Sequence, residues 1–114
     1  MKKILFAVVF VMTMASCQTE RSLYSWYDSE EASYNYTKRR TEECLTKAMA
    51  KYKLVIERQN GERKVVPPGV NAEYGFLLYK AGKKDEGLAL LRAEIKAYPE
   101  SEKFISRIIK QLEK

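Results

Sequence analysis

Residues 68–99 read PGVNAEYGFLLYKAGKKDEGLALLRAEIKAYP. Apolar side chains recur here at three- and four-residue steps, first through Tyr74, Leu77 and Leu78, then through Leu88, Leu91, Ile95 and Tyr98, which predicts two helices over 70–81 and 84–97. Glycine costs about 1 kcal/mol relative to alanine inside a helix. Gly75 and Gly87 sit inside these two segments all the same, so a close approach of two antiparallel backbones is expected to require them. Gly82 falls between the segments as the turn, and Pro99 ends the second.

Tested against known repeat periods, the stretch resembles one tetratricopeptide unit of about 34 residues. With Pro68 as the first position, Asn71, Tyr74, Gly75 and Leu78 occupy the first-helix signature, Gly82 the turn, Gly87 the small second-helix position, Leu91 the aromatic position and Pro99 the terminal proline. Asn71 and Leu78 stand where tryptophan and tyrosine are usual. In the same register Ile105, Ile108, Ile109 and Leu112 continue the pattern, so a helix over 102–113 with Ser101 as its N-cap reads as a cap. Upstream, Thr37, Arg40, Thr41 and Lys53 fail the signature, and a helix over 37–57 is expected to pack on the repeat without being one. No segment sustains period-two alternation, so the fold class is all-α: one tetratricopeptide-like hairpin with packing and capping helices.

Tyr24, Trp26, Tyr27, Tyr34 and Tyr36 precede these helices as an aromatic cluster. Such side chains bury large areas while keeping a polar tip. Two readings stand: packing onto the helices that follow, or an interface patch.

At the N-terminus, Lys2 and Lys3 precede an uncharged apolar run over 4–15. The run is too short for a spanning helix, which needs about 20 residues, and it fits a secretory signal peptide. It closes on Met14-Ala15-Ser16-Cys17, which resembles the bacterial lipobox, with Cys17 as the lipidated residue. The expected organisation is a signal peptide over 1–16, a lipidated tether over 17–22 and a helical domain over 23–114. Cleavage removes two of the 21 basic residues and none of the 15 acidic ones, which lowers the formal charge from +6 to +4. That modest excess tolerates an anionic membrane surface. It lacks the concentrated basic stripe of a nucleic-acid binder.

Candidate chemistry is sparse. The chain has no histidine, and its two cysteines are Cys17 and Cys44, the latter bordering the apolar face of its helix. Neither a glycine-rich phosphate loop nor a paired-cysteine motif occurs, and no catalytic residue, cofactor or metal site is assigned. Glu30-Glu31 and Glu42-Glu43 are adjacent in sequence, which points their carboxylates apart on a helix.

Taken together, the lipobox, Leu23-Tyr24-Ser25-Trp26, Tyr34-Asn35-Tyr36-Thr37-Lys38, Val66-Pro67-Pro68-Gly69, Tyr79-Lys80-Ala81-Gly82 and Tyr98-Pro99-Glu100-Ser101 resemble a family of small bacterial lipoproteins. Its members carry a domain of unknown function with one tetratricopeptide-like hairpin, and they are often encoded beside a lipoprotein similar to the curli secretion channel. The resemblance implies a lipid-anchored, non-enzymatic subunit of an envelope complex, with Gln18 after the lipidated cysteine resembling an outer-membrane signal. Its partners would be the membrane, through the lipid, and other envelope lipoproteins. The alternative function is a module that binds cell-wall glycan or peptide through the aromatic cluster. Replacing Cys17→Ser should leave the precursor unlipidated; the check is intact mass and retention in washed membranes, and a lipid-modified variant would refute the assignment.

Overall fold

The computed structural model describes residues 2–4 and 22–114. Five α-helices order the domain: α1 (Ser29–Arg39), α2 (Glu42–Glu57), α3 (Val70–Lys80), α4 (Lys84–Ala97) and α5 (Glu102–Leu112), with a 3-10 turn at Pro99–Ser101. The domain is all-α, and its last three helices lie where the periodicity predicts them.

The expected single helix over 37–57 is instead the end of α1 and the whole of α2. Arg40 adopts left-handed geometry (φ 56°, ψ 31°), which stops α1. Thr41 is extended, and its hydroxyl accepts from the Cys44 N–H at 3.2 Å, which starts α2. A threonine at this position satisfies one of the free N–H groups of the first turn, and Glu42 and Glu43 complement its positive end. The two-residue link lets α1 fold back on α2, so Ala32 and Tyr36 pack against the buried cluster of Ala48, Tyr52, Val55 and Val70. The upstream region is thus a second helical hairpin rather than a lone packing helix. Ser101 also departs from expectation. Its backbone is already helical, and its Oγ donates to the Tyr98 carbonyl at 2.6 Å instead of capping α5.

Each helix packs mainly on its neighbours in sequence, α1 on α2, α2 on α3, α3 on α4 and α4 on α5. The tightest contact joins α3 and α4. A methyl group at Gly75 would lie 2.7 Å from the Gly87 carbonyl oxygen; one at Gly87 would lie 2.5 Å from the Gly75 oxygen and 2.8 Å from the Tyr79 nitrogen. Those obstacles are backbone atoms, so no side-chain rotation relieves them. Gly82 serves differently: its φ of 97° makes the turn, and the space beside it is open. Pro99 opens the 3-10 turn. Leu78 and Leu91 fill the hairpin interior, and Ile105 anchors α5.

Gly87→Ala should force the helices apart at a cost of about 1–3 kcal/mol. At this size each kcal/mol lowers the melting temperature by roughly 4–8 °C. Gly82→Asn, which keeps a residue tolerant of left-handed geometry, should shift it far less. Equal melting temperatures for the two variants and the parent would refute the close-contact account.

Candidate functional site

The segment 22–27 forms a strap laid along the loop after α2. Glu62 N–H donates to the Ser22 carbonyl at 3.0 Å, and Arg63 N–H to the Leu23 carbonyl at 3.1 Å. Gln59 fastens the centre with its whole amide. Its Oε1 accepts from Ser25 N–H at 2.5 Å and Gly61 N–H at 3.1 Å, while its Nε2 donates to the Ser25 and Val55 carbonyls, both at 3.1 Å. Asn60 N–H adds a bond to Ser25 Oγ at 3.2 Å. A side chain at Gly61 would collide with the Leu23 and Tyr24 backbone, so only glycine admits the strap there.

The aromatic residues of the strap are consequently half-buried. Tyr24 meets Trp26 edge-to-face, with centroids 5.9 Å apart. Arg63 donates to the Tyr24 hydroxyl at 3.0 Å and lies over its ring. Tyr27 donates to the Arg58 carbonyl at 2.5 Å. Trp26, Tyr27 and Tyr36 pack against the buried cluster of α2 and α3, with the Arg40 guanidinium over the Tyr36 ring. Tyr34 alone of the five candidate interface residues faces solvent, at 64% exposure.

The loop beneath the strap is also held from the far hairpin. Tyr98, at the end of α4, donates to the Val66 carbonyl at 2.6 Å. Burial first, and then the neighbouring Tyr24, pushes its hydroxyl pKa up to about 12. Glu94, only 3% exposed, holds the same loop: its Oε1 accepts from Gly69 N–H at 2.7 Å, and its Oε2 has no partner among the described residues.

Beneath Trp26 lies a cavity of about 260 Å³, walled by Ser29, Glu30 and Ser33 of α1, Tyr52 of α2, and Pro68, Gly69, Val70 and Glu73 at the start of α3. Tyr52 donates its hydroxyl to Glu73. Burial first, then that bond, raises the Tyr52 pKa to about 12, against an opposing contribution from Ser33. Among the described residues no three Asp, Glu or Cys side chains converge as a metal would require.

A family model matches residues 23–108, from the strap into α5. The chain belongs to the family described as Domain of unknown function (DUF4810). No curated protein and no solved structure matches it. The expected lipidation residue Cys17 precedes the DUF4810 match and lies outside the described residues, as does the signal segment apart from residues 2–4. Cys44 is a free, half-buried thiol in the groove between α1 and α2. Among the described residues no helix is long and apolar enough to cross a membrane.

α5 completes the set of candidate surfaces. Of its apolar residues only Ile105 is buried; Ile108, Ile109 and Leu112 are half-buried and Phe104 is 66% exposed. Gln59 and Glu94 are the positioning residues that periodicity does not reveal, whereas Tyr98 falls in step with Leu91 and Ile95. The Gln59-Asn60-Gly61 turn signal was the one local pointer.

Gln59→Ala should strand the Ser25 amide and carbonyl, a loss of about 1–3 kcal/mol for each group left dry. The strap would lift, shifting Trp26 emission to the red and opening 22–27 to protease while helicity is retained. An unshifted Trp26 spectrum would refute the fastening role.

Proposed function

We propose that the protein is a non-catalytic accessory or assembly subunit of a bacterial envelope complex, held at the outer membrane by lipid on Cys17 and docking through α5 onto a neighbouring lipoprotein similar to the curli secretion channel. The observation that carries this reading is the apolar stripe of α5. At about 100° per residue, Phe104, Ile108, Leu112, Ile105 and Ile109 cover an arc of roughly 140°. Only Ile105 on that arc is buried, Ile108, Ile109 and Leu112 are half-buried, and the edge at Phe104 stays open. The terminal helix of a stacked array normally turns a polar outer face to water, so an uncovered apolar edge there supports a protein partner.

The tether limits where that partner can be. The strap begins at Ser22, whose carbonyl is already bonded to Glu62. At no more than about 3.6 Å per residue, the link from Cys17 to Ser22 holds the domain within roughly 20 Å of the lipid. A partner sharing the same membrane surface meets it without further reach. The lack of any histidine supports the non-catalytic part of the reading.

Crosslinked pull-down from native membranes should recover a channel-like lipoprotein with the parent protein. Phe104→Asp changes an exposed position, so circular dichroism and melting temperature should hold while recovery falls at least tenfold. Recovery of the protein alone from parent membranes would refute the proposal.

A further inference from the structure

We propose that the cavity beneath Trp26 binds a primary alkylammonium group, the kind carried by a lysine side chain or by a free alkyl amine. The chemistry of the walls selects the charge. Glu30 and Glu73 both line the cavity, no lysine or arginine does, and among the described residues neither carboxylate forms an ion pair. This is an acid-only pocket in a chain whose formal charge is +6. An anion would face two carboxylates there, whereas a cation is attracted by both.

The walls also match the shape of the group. An ammonium has three donors and no acceptor, and the cavity offers carboxylate and hydroxyl oxygens to receive them. Ser29 is 1% exposed, lines the cavity and makes no hydrogen bond from its hydroxyl to another described residue. Its hydroxyl adds a further acceptor oxygen to that wall. Tyr52 donates to Glu73, which fixes that carboxylate at the wall before any ligand arrives. The Trp26 indole and the Tyr52 phenol supply aromatic surface, which attracts cations and covers an alkyl stem. This site is separate from the α5 stripe, and its occupancy does not depend on the docking proposed there.

Trp26 is the sole tryptophan, so its fluorescence reports occupancy directly. The purified chain is titrated with n-butylammonium chloride and with Nα-acetyl-lysine-N-methylamide; n-butanol and N-acetylglucosamine serve as neutral probes. Both cations should give a saturable change that weakens with added salt, and the neutral probes should give none. Tighter binding of the capped lysine would assign the ligand to a peptide, and tighter binding of butylammonium to a free amine. Glu30→Gln and Glu73→Gln should each weaken the response by roughly tenfold, the scale of one charge-assisted hydrogen bond. Glu30 is exposed in the first turn of α1, so its variant keeps the test decisive even where Glu73→Gln unfolds. An equal response to n-butanol, a response to the sugar alone, no saturable response to either cation, or unchanged affinity in Glu30→Gln would overturn the proposal.

Discussion

The backbone contact between Gly75 and Gly87 sets the geometry on which the other long-range links depend. With no side chain between them, α3 and α4 approach until each glycine carbonyl sits where the other's methyl group would be. That closeness brings Glu94 of α4 to the start of α3, where it takes the Gly69 N–H. It also sets Tyr98, at the end of α4, against the Val66 carbonyl. The loop before α3 is therefore held from the α4 side at two points, and the strap 22–27 lies on the portion of that loop just upstream. A wider hairpin would release the loop first and the strap second.

Glu94 shows what such a link costs. One oxygen is bonded and the other is buried without a partner among the described residues. A buried polar atom left unpaired carries a penalty of about 1–3 kcal/mol, more where the group is charged, so the Gly69 bond is a poor bargain as stability alone. Its effect is on placement. Gly69 caps α3, and fixing its N–H fixes where the helix begins, hence where Glu73 stands relative to Tyr52. The wall of the Trp26 cavity inherits its shape from a contact made on the other hairpin.

The sequence was informative where one face of a helix repeats and silent where contacts cross between distant segments. The boundaries of α3, α4 and α5 follow from Leu78, Leu91 and Ile105 recurring in step with their neighbours, because burial on a helix has a period. α1 escaped notice because Tyr34 and Tyr36 are two residues apart and point to different sides, one exposed and one packed, so no stripe forms. Its end was nonetheless encoded, since Thr41-Glu42-Glu43 is a helix-start signal lying inside what otherwise scans as one helix. The strap is the opposite case. Ser25 and Gln59 are 34 residues apart, and their pairing leaves no periodic trace. The same distance hid the cavity, whose walls come from three helices.

That strap also explains how so small a domain holds together. A stack in which each helix touches mainly its sequence neighbours has stability close to a sum of local terms, and its ends fray independently. Small domains bury too little surface to tolerate that freely. The strap bypasses the order of the stack: it starts before α1 and binds the loop between α2 and α3, and Tyr98 at the end of α4 holds the same loop through the Val66 carbonyl. Opening either hairpin then requires breaking contacts made by the other. Because the strap begins immediately after the expected lipid tether, a pull on the tether would load this closing element before it loads any helix.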